Sequence, residues 1–173
     1  GIFALIQGGR RDVGEALVQH PLINAVGFTG SLSGGRALFD LCAARPTPIP
    51  FFGELGSINP VFVLPAAAKA RAADIGTTWA GSLTMGAGQF CTNPGVVFIE
   101  DRFADTFIAS ASEALTATGE QAMLTDGISE AYRQGVARVQ QIDNLHEVVG
   151  SNCTGRNALP YLFDTKLETW SAE

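Results

Sequence analysis

The stretch Gly86-Ala-Gly-Gln-Phe-Cys-Thr-Asn-Pro-Gly95 sets Cys91 between a glycine-rich turn and a Pro-Gly turn. Small residues allow a ligand to approach the backbone closely, and an exposed bend can present a thiol. A thiolate so placed can attack an electrophilic carbon and carry a covalent intermediate. Residue types alone leave two readings open, a nucleophile or a structural thiol. The second candidate group is Glu54, in Gly53-Glu54-Leu55-Gly56, the one carboxylate between Asp40 and Asp74. Apolar stretches flank it, and enclosure by them would raise a carboxylate's pKa through desolvation. That suits a proton acceptor working near neutral pH. A buried carboxylate bonded to backbone N–H is the competing reading.

The remaining chemistry-bearing residues form no pattern. Cys42 and Cys153 complete an odd set of three widely spaced cysteines, with no Cys-x-x-Cys pair and only two histidines, His20 and His146. Neither a disulfide framework nor a metal site is expected. Cys42 has the spacing of a core residue. Gly30-Ser-Leu-Ser-Gly34 has Leu32 at its centre, so it is no nucleophile elbow. Asn152-Cys-Thr154 reads as a chance glycosylation triplet.

The elements that must position Cys91 and Glu54 alternate along the chain. Helical spacing is expected over 14–20, 33–44 (with Ser33 as N-cap), 66–85, 104–117 and 129–142, and a first turn over 165–170. Strands are expected over 1–6, 23–28, 49–52, 60–64, 96–99 and 147–149. Three prolines keep 45–50 extended. Such alternation predicts an α/β fold with a mostly parallel sheet and helices on both faces. Between residues 46 and 99 only Glu54, Lys69, Arg71 and Asp74 are charged, so this stretch is expected to form the buried centre.

Composition narrows the class. A chain of 173 residues is long enough for one compact domain, and its net charge of −6 argues against a nucleic-acid groove or a polybasic membrane surface. Apolar runs fall short of the ~18 residues that span a bilayer. With no disulfide pattern, a reducing cytoplasm is the expected location.

Taken in order, Phe28-Thr-Gly-Ser31, Gly53-Glu54-Leu55-Gly56 and Gly88-Gln-Phe-Cys91, separated by 23 residues from Ser31 to Glu54 and 37 from Glu54 to Cys91, resemble the aldehyde dehydrogenase superfamily. The wording of 56–63 and 89–95 is most similar to a bacterial branch. That branch contains α-ketoglutaric semialdehyde (2,5-dioxopentanoate) dehydrogenases and NADP-linked fatty aldehyde dehydrogenases. The resemblance implies a thiol nucleophile at Cys91, with its own N–H as half of an oxyanion hole, and a hydrolytic base at Glu54. It implies cofactor phosphates against Gly30, Ser31 and Gly35, the nicotinamide beside Leu55 and Gly56, and substrate against Phe90 and Thr92. NADP or NAD is the implied cofactor, with NADP favoured by the branch, and a small-molecule aldehyde is the implied substrate. Residues 1–53 would be the end of a Rossmann-like cofactor domain and 54–173 a truncated catalytic domain of a larger homo-oligomeric enzyme.

Three rivals remain. A CoA-acylating relative would need Cys91 but no base, a papain-type hydrolase would pair Cys91 with His146, and a non-catalytic domain would keep the core for assembly alone. The family's second oxyanion donor and its adenosine-binding strands would lie before Gly1, and its ribose-binding segment beyond Glu173. The isolated 173 residues are therefore predicted to be inactive, or nearly so, in aldehyde oxidation with NADP. Measurable reduction of NADP by this chain alone would contradict the expectation that the site is incomplete.

Overall fold

The structure is a computed structural model that describes residues 1–8 and 10–171. It divides into two compact units, Gly1–Ser57 and Ile58 onward. In the first unit the order is α1 (Arg11–Gln19), β1 (Val26–Gly30), α2 (Leu32–Ala43) and β2 (Phe51–Leu55). Strand β1 pairs with β2 in parallel, Val26 opposite Phe51 and Gly30 opposite Leu55. The Arg45 guanidinium closes the unit by donating to the carbonyls of Val18 and Ile23 at 2.8 and 2.9 Å. The boundary expected between 53 and 54 falls inside β2. The units part between Ser57 and Ile58, because β1 holds β2 along its whole length.

The second unit holds β3 (Pro60–Val63), α3 (Pro65–Thr84), β4 (Val96–Ile99), α4 (Asp101–Thr116), β5 (Gln121–Ala122), α5 (Asp126–Val139), β6 (His146–Val149), β7 (Asn157–Ala158), β8 (Leu162–Asp164) and α6 (Leu167–Trp170). Its strands β3 and β4 are parallel, while β5–β7 and β6–β8 are antiparallel. The α/β class is as expected, but the sheet is present as separate two-stranded ladders, two of them parallel.

Long apolar helices explain where the core sits. Pro65 opens α3 at a first-turn position where its missing N–H costs nothing. Helix α3 then buries Ala72, Trp79 and Ala80 against Phe107, Ala111 and Leu115 of α4. Val61, Val97 and Ile99 of the β3–β4 ladder pack onto this cluster. On the other side of the ladder Phe62 stacks on Phe98 with ring centroids 4.9 Å apart, and Trp170 of α6 meets Phe98 edge-on. Cys42 is buried, at 1% exposure, as its spacing in α2 predicts.

Several expectations need correction. Residues 1–6 form no strand, and Ile2, Phe3, Leu5 and Ile6 are exposed. An apolar run becomes a strand only with a neighbour to pair its backbone groups. The N-cap of α2 is Ser31, not Ser33, since the Ser31 hydroxyl accepts the Gly34 N–H at 3.1 Å. Nor is the charge-poor stretch a buried centre throughout: Phe52, Ile58, Phe62 and Leu64 are exposed. Among the described residues β2 and β3 each have one hydrogen-bonded neighbour, which leaves one edge of each strand open.

Gly76 sets the α3–α4 crossing. A Cβ there would lie 2.6 Å from the Phe107 carbonyl oxygen and 2.3 Å from the Ser110 hydroxyl, and the backbone atom cannot swing aside. Gly81, in the same helix, has open space around it. Gly76→Ala is expected to destabilise the chain by about 1–3 kcal/mol through overpacking, lowering Tm by roughly 3–10 °C. Gly81→Ala should raise Tm through helix propensity. Equal Tm changes for the two variants would contradict this packing.

Candidate active site

The sequence-derived site residues fall into two groups. Gly30, Ser31, Gly35, Glu54, Leu55 and Gly56 belong to the first unit, and Phe90, Cys91 and Thr92 to the second.

In the first unit, parallel pairing brings the carboxyl ends of β1 and β2 side by side. The Gly56 N–H donates to the Gly30 carbonyl at 2.9 Å, immediately beyond the last register pair. Gly56 has φ of +65°, a left-handed conformation that glycine adopts without strain. The chain leaves β1 at Gly30 and enters α2 through Ser31. The first-turn N–H groups of Leu32 and Ser33 then lack intrahelical acceptors. A helix N-terminus at the carboxyl end of parallel strands suits a phosphate group. Gly35 lies one turn further in and is buried. A Cβ there would meet Leu55 Cδ2 at 2.0 Å, so Gly35 lets α2 settle against β2. Leu55 is thereby packed onto the helix.

Glu54 lies opposite Thr29 on β2, and it is exposed. The apolar enclosure expected from its flanking stretches is not present among the described residues, where β2 pairs with β1 alone.

In the second unit α3 ends at Thr84 and passes into the 3₁₀ turn Met85–Gly88. Gly86, Ala87 and Gly88 take φ of 58, 57 and 71°. Ala87 is strained there, and its N–H is anchored by the Gln121 side-chain carbonyl at 2.7 Å. Gln121 also donates to the Thr84 carbonyl at 3.0 Å. Gln89 donates to Gly86 O at 3.0 Å and accepts the Leu124 N–H at 2.9 Å. Beyond it, Phe90-Cys-Thr-Asn93 forms a turn closed by Asn93 N–H to Phe90 O at 3.1 Å. Asn93 Nδ2 donates back to Leu83 O at 2.7 Å, and the Trp79 indole donates to Pro94 O at 2.7 Å. Asn59 Nδ2 donates to both Cys91 O and Asn93 O, at 2.8 and 3.0 Å. Cys91 is exposed at the head of this turn, whereas Cys153 is half-buried.

Two cavities flank the turn. One of about 330 Å³ is lined by Ser82, Met85, Phe90, Thr92, Asn93 and Pro94. Phe90 and Thr92, the expected substrate contacts, thus line the same hollow. A larger cleft of about 480 Å³ lies against Gln89, Gln121, Met123, Tyr132 and Tyr161. Burial pushes the Tyr132 phenol well above its ordinary pKa, so it stays a neutral donor to Leu159 O at 2.8 Å.

Asn59, Gln89 and Gln121 hold the thiol turn, yet their residue types carry no sign of it in the sequence. The bonds of Asn59 and Gln121 cross more than thirty residues. His146 lies exposed on β6, and among the described residues it makes no hydrogen bond to Cys91. No cluster of metal-ligating side chains occurs among the described residues, nor is any described helix long and apolar enough to cross a membrane.

Comparison with known proteins bears on this geometry. The chain is 47% identical over 149 residues to alpha-ketoglutaric semialdehyde dehydrogenase 2 of Azospirillum brasilense, covering 86% of the chain and 28% of that protein. It is 43% identical over 163 residues to alpha-ketoglutaric semialdehyde dehydrogenase of Acinetobacter baylyi, covering 94% of the chain and 30% of the relative. The chain therefore spans under a third of the length of these relatives. Among solved structures, proline utilization A of Bradyrhizobium japonicum superposes with a TM-score of 0.76 at 26% identity, over 91% of this chain and 17% of that one. Residues 1–154 match the sequence profile of the aldehyde dehydrogenase family, and with relatives at this level of identity the chain belongs to that family.

Proposed function

We propose that this chain supplies the nucleophile, the hydrolytic base and part of the cofactor cradle of an NAD(P)-dependent aldehyde dehydrogenase. The first unit is the end of its cofactor-binding domain and the second its thiol domain. The observation that carries the reading is an exposed thiol at Cys91 on a turn held by hydrogen bonds on both sides, within a family defined by aldehyde oxidation.

The chemistry proceeds in two halves. The Cys91 thiolate attacks the aldehyde carbon, forming a C–S bond and leaving an oxyanion that the Cys91 N–H can stabilise. The nicotinamide, when bound, would supply the two-electron acceptor for the hydride on that carbon, and Cys91 would then carry the acyl group as a thioester. Glu54 takes a proton from water, the resulting hydroxide adds to the thioester carbonyl, and the C–S bond breaks to release carboxylate and thiolate. The Glu54 side chain is exposed on β2, in contact with water. Gly30, Ser31 and Gly56 would receive the cofactor at the ends of β1 and β2. There the unbonded N–H groups at the start of α2 fit a phosphate. Gly35 and Leu55 would shape that cradle by their mutual packing, and Phe90 and Thr92 would meet the substrate.

The names of the two relatives favour 2,5-dioxopentanoate as the aldehyde and 2-oxoglutarate as the product. NADP is the favoured cofactor, NAD the alternative, and the complete enzyme is a cytoplasmic homo-oligomer. A CoA-acylating enzyme is disfavoured by Glu54, since a hydrolytic base would spend the thioester on water.

The test uses the complete enzyme, assayed with short keto-aldehydes and long fatty aldehydes and with both cofactors. Cys91→Ser is expected to abolish turnover. Glu54→Gln is expected to keep a rapid first burst of reduced cofactor while steady turnover falls roughly 10²- to 10⁴-fold, the usual contribution of a general base. Steady turnover unchanged in Glu54→Gln would overturn the hydrolytic role. A preference for fatty aldehydes would overturn the substrate.

A further inference from the structure

Asn59 stands just before β3, yet both donors of its amide are used 32 and 34 residues away, on Cys91 O and Asn93 O. Two carbonyl acceptors at hydrogen-bond distance fix which end of the amide faces them, because only the NH₂ group can donate. The side chain is half-buried, and an isosteric carboxylate would face the two carbonyls with like partial charge.

These bonds act on the backbone on one side of the thiol. The plane of the Cys91–Thr92 peptide is held by its carbonyl on Asn59. The plane of the preceding Phe90–Cys91 peptide is held by the Phe90 carbonyl, which accepts the Asn93 N–H at 3.1 Å. That peptide is trans, as no cis bond occurs among the described residues, so the Cys91 N–H points opposite to the Phe90 carbonyl and away from the turn's interior. With both flanking planes fixed, φ and ψ of Cys91 are fixed, and the thiol keeps only its χ1 rotation. Asn93 is itself tied to Leu83 O, which links the arrangement to the end of α3.

We infer that Asn59 is a positioning residue that holds the Cα–Cβ bond and the N–H of Cys91 in one orientation, acting through the Cys91–Thr92 peptide. The inference rests on the reading of Cys91 as nucleophile. It goes beyond that reading in assigning part of the rate to a side chain that touches neither substrate nor cofactor. A nucleophile and an oxyanion donor on the same residue are productive only when both point at one carbonyl group, and displacement of either by about an ångström costs much of the rate.

The test compares Asn59→Asp and Asn59→Ser with the unaltered complete enzyme. Three readouts are taken: kcat and KM, the rate of Cys91 alkylation by iodoacetamide, and the thermal unfolding transition. Asn59→Asp should lower kcat at least tenfold while the KM for cofactor and the Cys91 alkylation rate stay within about twofold. Alkylation needs an accessible thiolate but no oriented N–H. Asn59→Ser carries a shorter side chain whose hydroxyl stops short of both carbonyls, and it should show a comparable loss of kcat with the same unchanged alkylation. Should Asn59→Asp fail to fold, seen as loss of the thermal unfolding transition, the serine variant alone decides.

In the folded variants, kcat within twofold of the unaltered enzyme overturns the inference. So does a loss of kcat matched by an equal loss of Cys91 alkylation. Cys91→Ser, assayed alongside, separates the two levels. Retained turnover there removes the nucleophile reading and this inference with it, whereas dead Cys91→Ser with active Asn59→Asp removes the inference alone.

Discussion

The constraint on which the thiol unit depends is the satisfaction of backbone groups in the irregular segment between α3 and β4. Residues 85–95 leave helical geometry through three consecutive left-handed residues, so their N–H and C=O groups have no regular ladder to enter. Side-chain amides and an indole take that place: Gln121 at Ala87, Gln89 at Gly86, Asn59 at Cys91 and Asn93, and Trp79 at Pro94. Each such bond is worth about 1 kcal/mol net, and each left unmade would cost more. The segment is therefore irregular and yet specified. That combination lets a chain present a thiol at its surface in a fixed direction.

The hydrophobic core supports this arrangement from beneath. Trp79 packs on Phe107 at 5.5 Å between ring centroids while its indole N–H reaches Pro94 O. One side chain thus joins the α3–α4 interface to the strand entrance beyond the thiol. The two helices approach closely at Gly76, one turn before Trp79. In the other unit the same economy is seen in glycines: Gly35 admits Leu55, and Gly56 turns the chain with φ of +65° while bonding Gly30.

Much of the fold was legible because its elements are long or strongly patterned. Strand 96–99 has the expected bounds, and the Ala-rich helix differs from them by one residue at each end. Two-residue strands such as β5 and β7 are too short to show alternation, so no local signal marks them. The strand expected at 1–6 and the burial expected at Glu54 are absent from the structure for one reason. Apolar sequence reports what a segment can pair with or be covered by, and the partner itself is not written in the segment. Cys91 and the glycine turn stood out because residue type and spacing carry their chemistry locally. The amides that hold them did not, since Asn and Gln gain meaning only from a carbonyl that folding brings from far along the chain.

The central claim is that Cys91 is the group acylated during turnover. The direct measurement is rapid acid quench of the complete enzyme during reaction with 2,5-dioxopentanoate and oxidised cofactor, followed by peptide mass mapping. The account predicts the mass of the acyl group on the peptide carrying Cys91, absent when cofactor is omitted. Acylation of Cys42 or Cys153 instead, or turnover with Cys91 unmodified throughout, would contradict it.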